Sequence, residues 1–416
     1  MRTLSYGLLA LLGAAALAGC KKEVPNPYST AATAGYASIG VPGNPALATK
    51  YAPGETVPLV LGYNQADNPT TITVFQATKT DSAQTASVPV GGALSATAGL
   101  STQTVPYTVP AGYPLGTVVR VDVTLNFPDG GQRLRRFTYT VARSPTLANG
   151  ATPVTYRNGL AASAQAEGDV IGYGLSLNAG GISTVPAGAS LPVANLFKNV
   201  DSLVYYARTG TSGALQRQGV VRSPTAGVAN TRTVDVTIPA GSAAAGGVTF
   251  VFTAFAQTTS TTLSSALLPV AAAATQLPIT RRGTVSFGAG STPDSLAFNL
   301  STGLNEPAAN ASTGKDLLVS GLASTGVLTL SAPNTTRYYK LTTAQLNALP
   351  YATATANAVG LLSYQNTPGA DLGTPAVGDV YAVRVRGTTP ALLRITGLRA
   401  STSGGIGRVK FEYRTL

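Results

Sequence analysis

The strongest constraint on the fold is a strict alternation of apolar and polar residues that runs into a tight turn. In the segment 119–127 (VRVDVTLNF), every second residue is apolar and the residues between them are polar. This period places the apolar side chains on one face of a β-strand. The sequence PDGG at 128–131 supplies a fixed φ, an Asx-type side chain and two permissive glycines. Phe137, Tyr139 and Val141 then resume the alternation, so this region predicts a β-hairpin.

An internal repeat extends this pattern. Residues 105–112 (VPYTVPAG) match 234–241 (VDVTIPAG), and residues 72–75 (ITVF) match 203–206 (LVYY). A glycine and an acidic residue precede an apolar strand in both copies, as Gly54-Glu55 and as Gly168-Asp169. Three matches in one order predict two copies of one β-sandwich. The alternative is chance similarity among strands that are rich in Thr and Val.

The repeat resembles the immunoglobulin-like modules of bacterial surface proteins, in which a VPAG turn leads into a late core strand. We therefore expect an all-β chain with two tandem immunoglobulin-like β-sandwiches, at 51–143 and 144–274. A β-rich C-terminal module with a short helical insert follows at 275–416. In this module, Thr342 to Gln345 form a predicted N-cap box before a helix that ends near Pro350, and residues 352–359 are weakly helical. This type of fold supports many functions and identifies none.

The N-terminus carries a secretion pattern. Arg2 precedes an apolar run that ends in the sequence LAGC at 17–20. It resembles the lipobox of bacterial lipoproteins, in which the cysteine becomes the first mature residue and carries acyl chains. The resemblance implies a signal peptide at 1–19, lipidation at Cys20, a tether at 20–50 and a location in the bacterial cell envelope, at the outer membrane and open to the cell surface. An ordinary signal peptide with a chance cysteine is the alternative.

Composition excludes several kinds of chemistry. The chain has no His and no Trp, and its single Cys and single Met are Cys20 and Met1. Catalysis by Ser-His-Asp or Cys-His groups and an ordinary zinc site are therefore excluded. We expect a protein that is not an enzyme and has neither metal nor cofactor. Convergence of Glu306, Asp316 and Asp379 for acid–base work or Ca²⁺ binding remains an alternative to isolated surface carboxylates, and paired carboxylates would support a glycosidase.

Five short segments of the last module carry a second resemblance. They are residues 295–303, 315–321, 337–349, 377–381 and 407–414. Together they look like the C-terminal module of Bacteroidota surface lipoproteins and are similar to the HmuY haem-binding lipoprotein family. Members of that family hold iron through His or Met side chains, which the mature chain lacks. Only a tyrosine such as Tyr338 or Tyr339 could then serve as an iron ligand.

The last strands form the most specific candidate for binding. The chain has 28 Lys and Arg against 16 Asp and Glu, a formal charge of +12, which favours anionic neighbours. Arg384 and Arg386 are predicted to share one strand face, and Arg408, Lys410 and Arg414 to share another. This arrangement predicts a face for an anionic ligand. The alternative is a solvated outer face that protects a sheet edge.

Tyr338 and Tyr339 could also stack on sugars, although aromatic residues of β-sandwiches usually lie in the core. Taken together, the sequence predicts a lipoprotein that displays modules for binding, structural or adhesive roles. Its expected partners are the membrane, through Cys20, and a glycan or another envelope protein. No nucleic-acid-binding module is present. The alternatives are a glycan-binding accessory protein of polysaccharide uptake and a haem or metallophore binder.

Overall fold

A computed structural model describes residues 37–42, 46–91, 93–94, 101–186, 193–288, 293–307, 309–322, 328–400 and 406–416. By their contacts these residues form two compact units. The smaller unit comprises Thr56–Thr108 and Val118–Tyr139 with the chain up to Leu47. The larger unit comprises Ala48–Glu55, Val109–Thr117 and Thr140–Leu416. The predicted signal peptide, Cys20 and most of the tether lie outside the described residues.

The strands of the first predicted sandwich form two sheets. The strands are β1 (Ala37–Gly40), β2 (Lys50–Tyr51), β3 (Thr56–Tyr63), β4 (Thr71–Ala77), β5 (Ser82–Pro89), β6 (Ala93–Leu94), β7 (Ser101–Thr108), β8 (Val118–Asn126) and β9 (Gln132–Val141). Strand β1 lies in the segment that was predicted as a tether, but it pairs with β3 at the edge of a sheet. One sheet has the order β1-β3-β7-β6 and the other has the order β2-β9-β8-β4-β5. The predicted hairpin is therefore β8 and β9. In its turn the carboxylate of Asp129 accepts the backbone N–H of Gly131 at 2.8 Å.

The second predicted sandwich repeats this topology. Its strands are β10 (Leu147–Tyr156), β11 (Val170–Leu177), β12 (Val200–Thr209), β13 (Gln216–Thr225), β14 (Asn230–Thr237), β15 (Val248–Ala256) and β16 (Thr259–Ser264). The sheet orders are β10-β11-β14 and β13-β12-β15-β16. Strand β11 pairs with β14 as β3 pairs with β7, and β12 lies between β13 and β15 as β4 lies between β5 and β8. The matched sequence pieces thus occupy equivalent strands.

The buried core of the second sandwich accounts for the apolar sequences of its strands. Side chains from both sheets share one buried cluster, including Tyr173 of β11 and Phe250 and Phe252 of β15. The ring centroids of Tyr173 lie 5.3 Å and 5.2 Å from those of the two phenylalanines. Residues 243–255 are apolar enough to suggest a short membrane span in the sequence. In the structure they form a turn and most of strand β15. The described residues include no helix with the length and hydropathy of a membrane span.

The C-terminal module consists of two further sheets and two helices. Its strands are β17 (Ile279–Gly288), β18 (Ala297–Asn299), β19 (Leu304–Asn305), β20 (Leu317–Leu322), β21 (Leu328–Ser331), β22 (Arg337–Lys340), β23 (Val380–Val385), β24 (Thr389–Arg399) and β25 (Ile406–Thr415). The helices are α1 (Thr343–Ala348) and α2 (Ala356–Gln365). The sheet orders are β17-β25-β24-β23-β22 and β19-β18-β20-β21. Helix α1 begins with the predicted capping box at Thr342, whereas α2 begins four residues later than predicted.

The five-stranded sheet of this module carries two different cores. One face packs against the four-stranded sheet, with Phe298, Phe411 and Tyr413 among the buried residues. The other face is covered only in part, because the helices pack over Ala382 and Leu392 but not over the strands at the far side of the sheet. The described chain is all-β in class, as predicted. The domain boundaries at 143 and 274 stay predictions, since contacts alone divide the chain differently.

Three turns with the sequence Ala-x-Gly-Asp/Glu share one hydrogen-bonding pattern. They are residues 52–55, 166–169 and 376–379, which we call acidic turns 1, 2 and 3. In each, the carboxylate accepts the backbone N–H of the alanine, at 2.7 Å for Glu55 and 2.8 Å for both Asp169 and Asp379. The glycine takes a positive φ of 76°, 88° or 94°, which an L-residue rarely adopts. The three turns are therefore structurally equivalent.

Acidic turns 1 and 2 each receive a donor from a distant part of the larger unit. The ammonium of Lys198 lies 2.5 Å from Oε1 of Glu55, and the two side chains are 1% and 2% exposed. The amide of Asn357, on α2, donates to Oδ2 of Asp169 at 2.5 Å. Burial lowers the pKa of Lys198, and the neighbouring Glu55 carboxylate opposes that shift. Both carboxylates are thus satisfied inside the protein.

Candidate functional site: a basic strip and an adjoining cleft

The candidate site begins on strand β25, whose side chains alternate between the core and the outer face of the sheet. Val409, Phe411 and Tyr413 are buried in the core, so Arg408, Lys410 and Arg414 point to the opposite face. Arg408 and Lys410 are exposed there, and Arg414 is partly buried. The structure therefore brings these three predicted residues together.

Neighbouring strands add cations that the alternation within β25 did not reveal. Strand β25 lies between β17 and β24, where Arg282 is opposite Glu412, Arg394 is also opposite Glu412, and Arg399 is opposite Arg408. Residues that are directly opposite in paired strands share a face. We define this surface as the basic strip: Arg282, Arg394, Arg399, Arg408, Lys410 and Arg414, with Glu412 as its acidic member.

Two of these arginines are occupied by contacts within the protein. The guanidinium of Arg394 pairs with Glu412 and lies 4.5 Å from the ring centroid of Tyr351. The guanidinium of Arg414 donates to the carbonyl oxygens of Leu277, Tyr351 and Ala352. Arg414 therefore holds the loop before α2 in place, and its role in the strip is structural.

The remaining cations are available to a ligand. Arg282 is 85% exposed and lies 3.8 Å from Glu412. Arg399, Arg408 and Lys410 are exposed and form no salt bridge with a described residue. Arg399 and Arg408 face each other across the strand pair, which is an unfavourable arrangement for like charges. An anion bound between them would relieve this repulsion.

A cleft of about 440 Å³ opens beside the strip, between β17, β19 and β25. The residues that line it are Arg282, Gly283, Thr284, Phe298, Gly303, Leu304, Asn305, Thr396, Lys410 and Phe411. The rings of Phe298 and Phe411 meet edge to face at 5.0 Å between centroids. A side chain at Gly283 would overlap both rings, so this glycine lets the buried aromatic pair pack closely against β17. The cleft thus adjoins two exposed cations of the strip, Arg282 and Lys410.

Two predicted members of the anionic-ligand face lie elsewhere. Arg384 shares the outer face of the sheet with Ala382, but the core under the helices separates it from the basic strip. Arg386 lies beyond the end of β23 in a tight turn with a φ of 50°. The prediction that Arg384 and Arg386 share a strand face is therefore wrong, because the strand ends at Val385.

Arg386 belongs instead to a buried polar network around Asp316, which is fully buried. The guanidinium of Arg386 lies 3.1 Å from Oδ1 of Asp316. The same carboxylate accepts the backbone N–H of Leu300 at 2.8 Å, the hydroxyl of Thr336 at 2.8 Å and the amide of Asn334 at 2.9 Å. These donors satisfy Asp316, so it is not available as an acid–base group.

The three carboxylates considered for catalysis do not converge. Glu306 joins the Asp316 network through Asn299, whose amide it accepts at 3.1 Å. Hydrogen bonds from Asn310 and Asn299 lower the pKa of Glu306. Asp379 contacts other residues, those of acidic turn 3, Lys340 and Tyr381. The described residues contain no group of three His, Cys, Asp or Glu side chains placed to hold a metal.

The two tyrosines proposed for sugar stacking or iron ligation do not fit those roles equally. Tyr338 is 3% exposed and its hydroxyl donates to the backbone carbonyl of Asp316. Burial raises its pKa well above the usual value, and neither its ring face nor its hydroxyl is accessible. Tyr339 is partly buried, packs beside the helix-covered core and accepts the amide of Gln345 at 3.2 Å. The residues present therefore do not fit a haem site at Tyr338.

Comparison with known proteins adds little to this geometry. No protein-family model matches the chain, and no curated protein matches it. One solved structure that is similar is a DUF4466 family protein from Parabacteroides merdae, at 11% identity and a TM-score of 0.21, covering 65% of this chain and 99% of that one. A TM-score this low carries no argument about function.

Proposed function

We propose that this chain is a non-enzymatic, lipid-anchored protein of the bacterial cell envelope, and that its C-terminal module binds an acidic glycan at the basic strip. The observation that supports binding is the cross-strand pair Arg399 and Arg408, beside Lys410 and the cleft that Lys410 and Arg282 line. Guanidinium groups bind carboxylate and phosphate groups through paired hydrogen bonds.

The proposed mechanism is electrostatic capture followed by local packing. Exposed charges interact over about 8 Å at physiological salt, so a polymer with regularly spaced anions is drawn to a row of cations. The strip offers Arg282, Arg399, Arg408 and Lys410 on adjoining strands. The cleft beside Arg282 and Lys410 then accommodates one sugar unit. Acidic groups on the glycan or phosphates on a glycolipid would use the same contacts.

The binding experiment compares two variants with the same loss of charge. Arg399→Ser/Arg408→Ser removes the facing cations of the strip, and Arg217→Ser/Arg222→Ser removes two exposed arginines of β13. Binding of the full chain to polygalacturonate, to a phosphorylated glycolipid in neutral vesicles and to neutral dextran is measured by calorimetry or vesicle flotation. We expect the strip variant to lose at least tenfold in affinity for an anionic ligand and the β13 variant to lose less than twofold.

The outcome identifies the source of the anion as well. Binding only to polygalacturonate supports an acidic polysaccharide, and binding only to the vesicles supports a glycolipid headgroup. Equal losses of affinity in both variants would show that binding depends only on net charge, which would refute the site. Binding to dextran that survives both changes would refute an anionic ligand.

The anchor is tested separately. Labelled palmitate should enter the parent chain, and Cys20→Ala should abolish both the label and the fractionation with membranes. If the variant still fractionates with membranes and takes up as much palmitate, the proposed anchor is wrong. Protease treatment of intact cells then decides whether the C-terminal module faces the outside.

A further inference from the structure

The segment that joins the second sandwich to the C-terminal module is fixed along its length. Both modules lie in the larger unit. At the sandwich end, the backbone N–H of Ala271 donates to the carbonyl of Gln165 at 2.8 Å. At the other end, the carbonyl of Thr275 accepts the N–H of Ala356 at 2.7 Å, and Leu277 is fully buried. Connections between independent domains are usually exposed and flexible, so this segment differs from such a linker.

Helix α2 of the C-terminal module packs directly on the backbone of the second sandwich. A Cβ atom at Gly360 would lie 2.1 Å from the carbonyl oxygen of Asn158 and 3.0 Å from its Cα. Beside this contact lies a cavity of about 20 Å³, whose lining includes Asn158 and Gly159 of the sandwich and Gly360 and Ser363 of α2. The cavity has room for about one water molecule. The two modules therefore meet here by close packing.

The side chain of Asn357, near the start of α2, joins three parts of the chain. It is 2% exposed. Its amide donates to Oδ2 of Asp169 at 2.5 Å and to the carbonyl of Ala164 at 2.8 Å, both in the second sandwich. Its carbonyl oxygen accepts the backbone N–H of Thr275 at 2.9 Å, in the connecting segment. Separating the modules would leave these buried groups without partners, which is unfavourable.

The opposite end of α2 makes a second polar contact with the sandwich. The guanidinium of Arg157 lies 4.6 Å from the ring centroid of Tyr364 and pairs with Asp235 at 2.7 Å. The hydroxyl of Tyr364 donates to Oδ2 of Asp235 at 2.9 Å. Leu160 of the sandwich adds an apolar contact, because it packs against the core that the helices cover. Contacts with the sandwich thus extend from Asn357 to Tyr364 of α2.

We infer that α2 clamps the second sandwich to the C-terminal module, so that the two modules move as one rigid body and unfold in one transition. The helix is also fixed to its own sheet, because Val359 lies in one buried core with Ala382 and Leu392. The boundary predicted at 274 then separates two segments of sequence and not two independent domains. The basic strip keeps a fixed orientation relative to the sandwich. This inference does not depend on the proposed glycan site.

Hydrogen exchange of the full chain in increasing urea tests the inference. Amides that open only in a common unfolding event share one free energy of opening and one dependence on urea. We expect the most protected amides of β11, in the sandwich, and of β23, in the C-terminal module, to share both values. Different values for the two strands would show that the modules unfold independently, which would overturn the inference.

Gly360→Ala tests the close approach of α2 by the sign of its effect. Alanine favours a helix more than glycine does, so a purely local role of this residue would make α2 more protected. The clash with Asn158 should instead lower the protection of α2, and of β11 in the other module, by about tenfold or more. The matched control is Gly321→Ala in β20, where a Cβ atom meets nothing within 4 Å and the change at β11 should stay under about twofold. Unchanged protection of β11 in Gly360→Ala, or an equal loss in the control, would contradict the clamp.

A change in the sandwich should act in the reverse direction. Arg157→Ser removes the guanidinium that packs on Tyr364 and should lower the protection of α2 and β23 by about threefold. Arg217→Ser removes an exposed cation of β13 and is the control, which should leave both elements unchanged. This pair of variants decides the question if Gly360→Ala does not fold. A loss confined to the sandwich in Arg157→Ser would overturn the inference.

Discussion

Acidic turns 1 and 2 have the same backbone but satisfy their carboxylates by different chemistry. Glu55 pairs with the ammonium of Lys198, which also donates to the carbonyl of Ala256 at 3.0 Å. Asp169 accepts a neutral amide from Asn357, which donates to the carbonyl of Ala164 at 2.8 Å as well. The comparison shows that the turn fixes the position of the hydrogen-bond donor. The donor itself can be charged, as in Lys198, or neutral, as in Asn357. The loss of folding stability on removing the donor should therefore differ between the two turns.

The largest effect is expected from Lys198→Met. The change leaves the Glu55 carboxylate buried without its cation, which costs about 3–5 kcal/mol in the free energy of unfolding. Urea unfolding followed by circular dichroism measures this loss, and hydrogen exchange at β15 locates it. Glu55→Gln/Lys198→Met should recover most of the stability because no charge is left unpaired. A loss below about 1 kcal/mol in the single variant would show that the pair contributes no more than a surface contact.

A smaller loss is expected from Asn357→Ala. The change removes the amide donor from buried Asp169 and the carbonyl acceptor of the Thr275 N–H, which lies 2.9 Å away. Leaving such groups unsatisfied costs about 1–3 kcal/mol, measured by the same unfolding curves. Asn366→Ala is the control, since among the described residues the amide of this asparagine donates only to the carbonyl of Leu362, near the end of α2. Equal losses in both variants would indicate an effect on the helix and not on the turn.

The smallest loss of stability is expected from Lys340→Ala. Its partner in acidic turn 3 is partly exposed, and such ion pairs contribute about 0–1 kcal/mol. A loss as large as that of Lys198→Met would show that turn 3 is as tightly enclosed as turn 1. The three turns would then no longer form a graded series.

The pH titration of Asp379 tests the ion pair between Asp379 and Lys340. Burial alone would raise the pKa of Asp379, but contacts with Lys340 and with the N–H of Ala376 outweigh it and lower the pKa. A carboxyl with a lowered pKa stabilises the fold above its ordinary pKa, and this contribution is lost as the pH falls through the lowered value. In Lys340→Ala the folded-state pKa should rise toward its ordinary value, so this contribution should become smaller and its loss should end at a higher pH. Carboxyl NMR shifts measure both values, and an unchanged pKa would contradict the assigned pair.

Local patterns were sufficient to predict the elements of this fold. The alternation at 119–127, the VPAG repeat and the box at Thr342 all correspond to strands or to a helix start. A local search for Ala-x-Gly-Asp/Glu would also have revealed acidic turn 3, because the motif is contiguous. The prediction for Arg386 failed because Gly387, with its φ of 77°, allows a turn directly after Val385. Strand propensity alone gives no sign of that turn.

The sequence pattern could not show which residues come together in the site, because they lie on strands that are distant along the chain. Arg282 and Arg399 join the basic strip only because β25 lies between β17 and β24. Lys198 is separated from Glu55 by 143 residues along the chain, and no periodicity in the sequence relates them. The close packing of Phe298 and Phe411 likewise depends on a glycine in a neighbouring strand, because a side chain at Gly283 would overlap both rings.

The position of β25 also affects how the C-terminal module is made. During synthesis β17 is finished at Gly288, but its pairing partner begins at Ile406. At about 5–20 residues per second, roughly 6–24 s pass before that partner emerges. Until then β17 and β24 have no strand between them, and the sheet cannot close. The module therefore stays unfinished for most of its own translation.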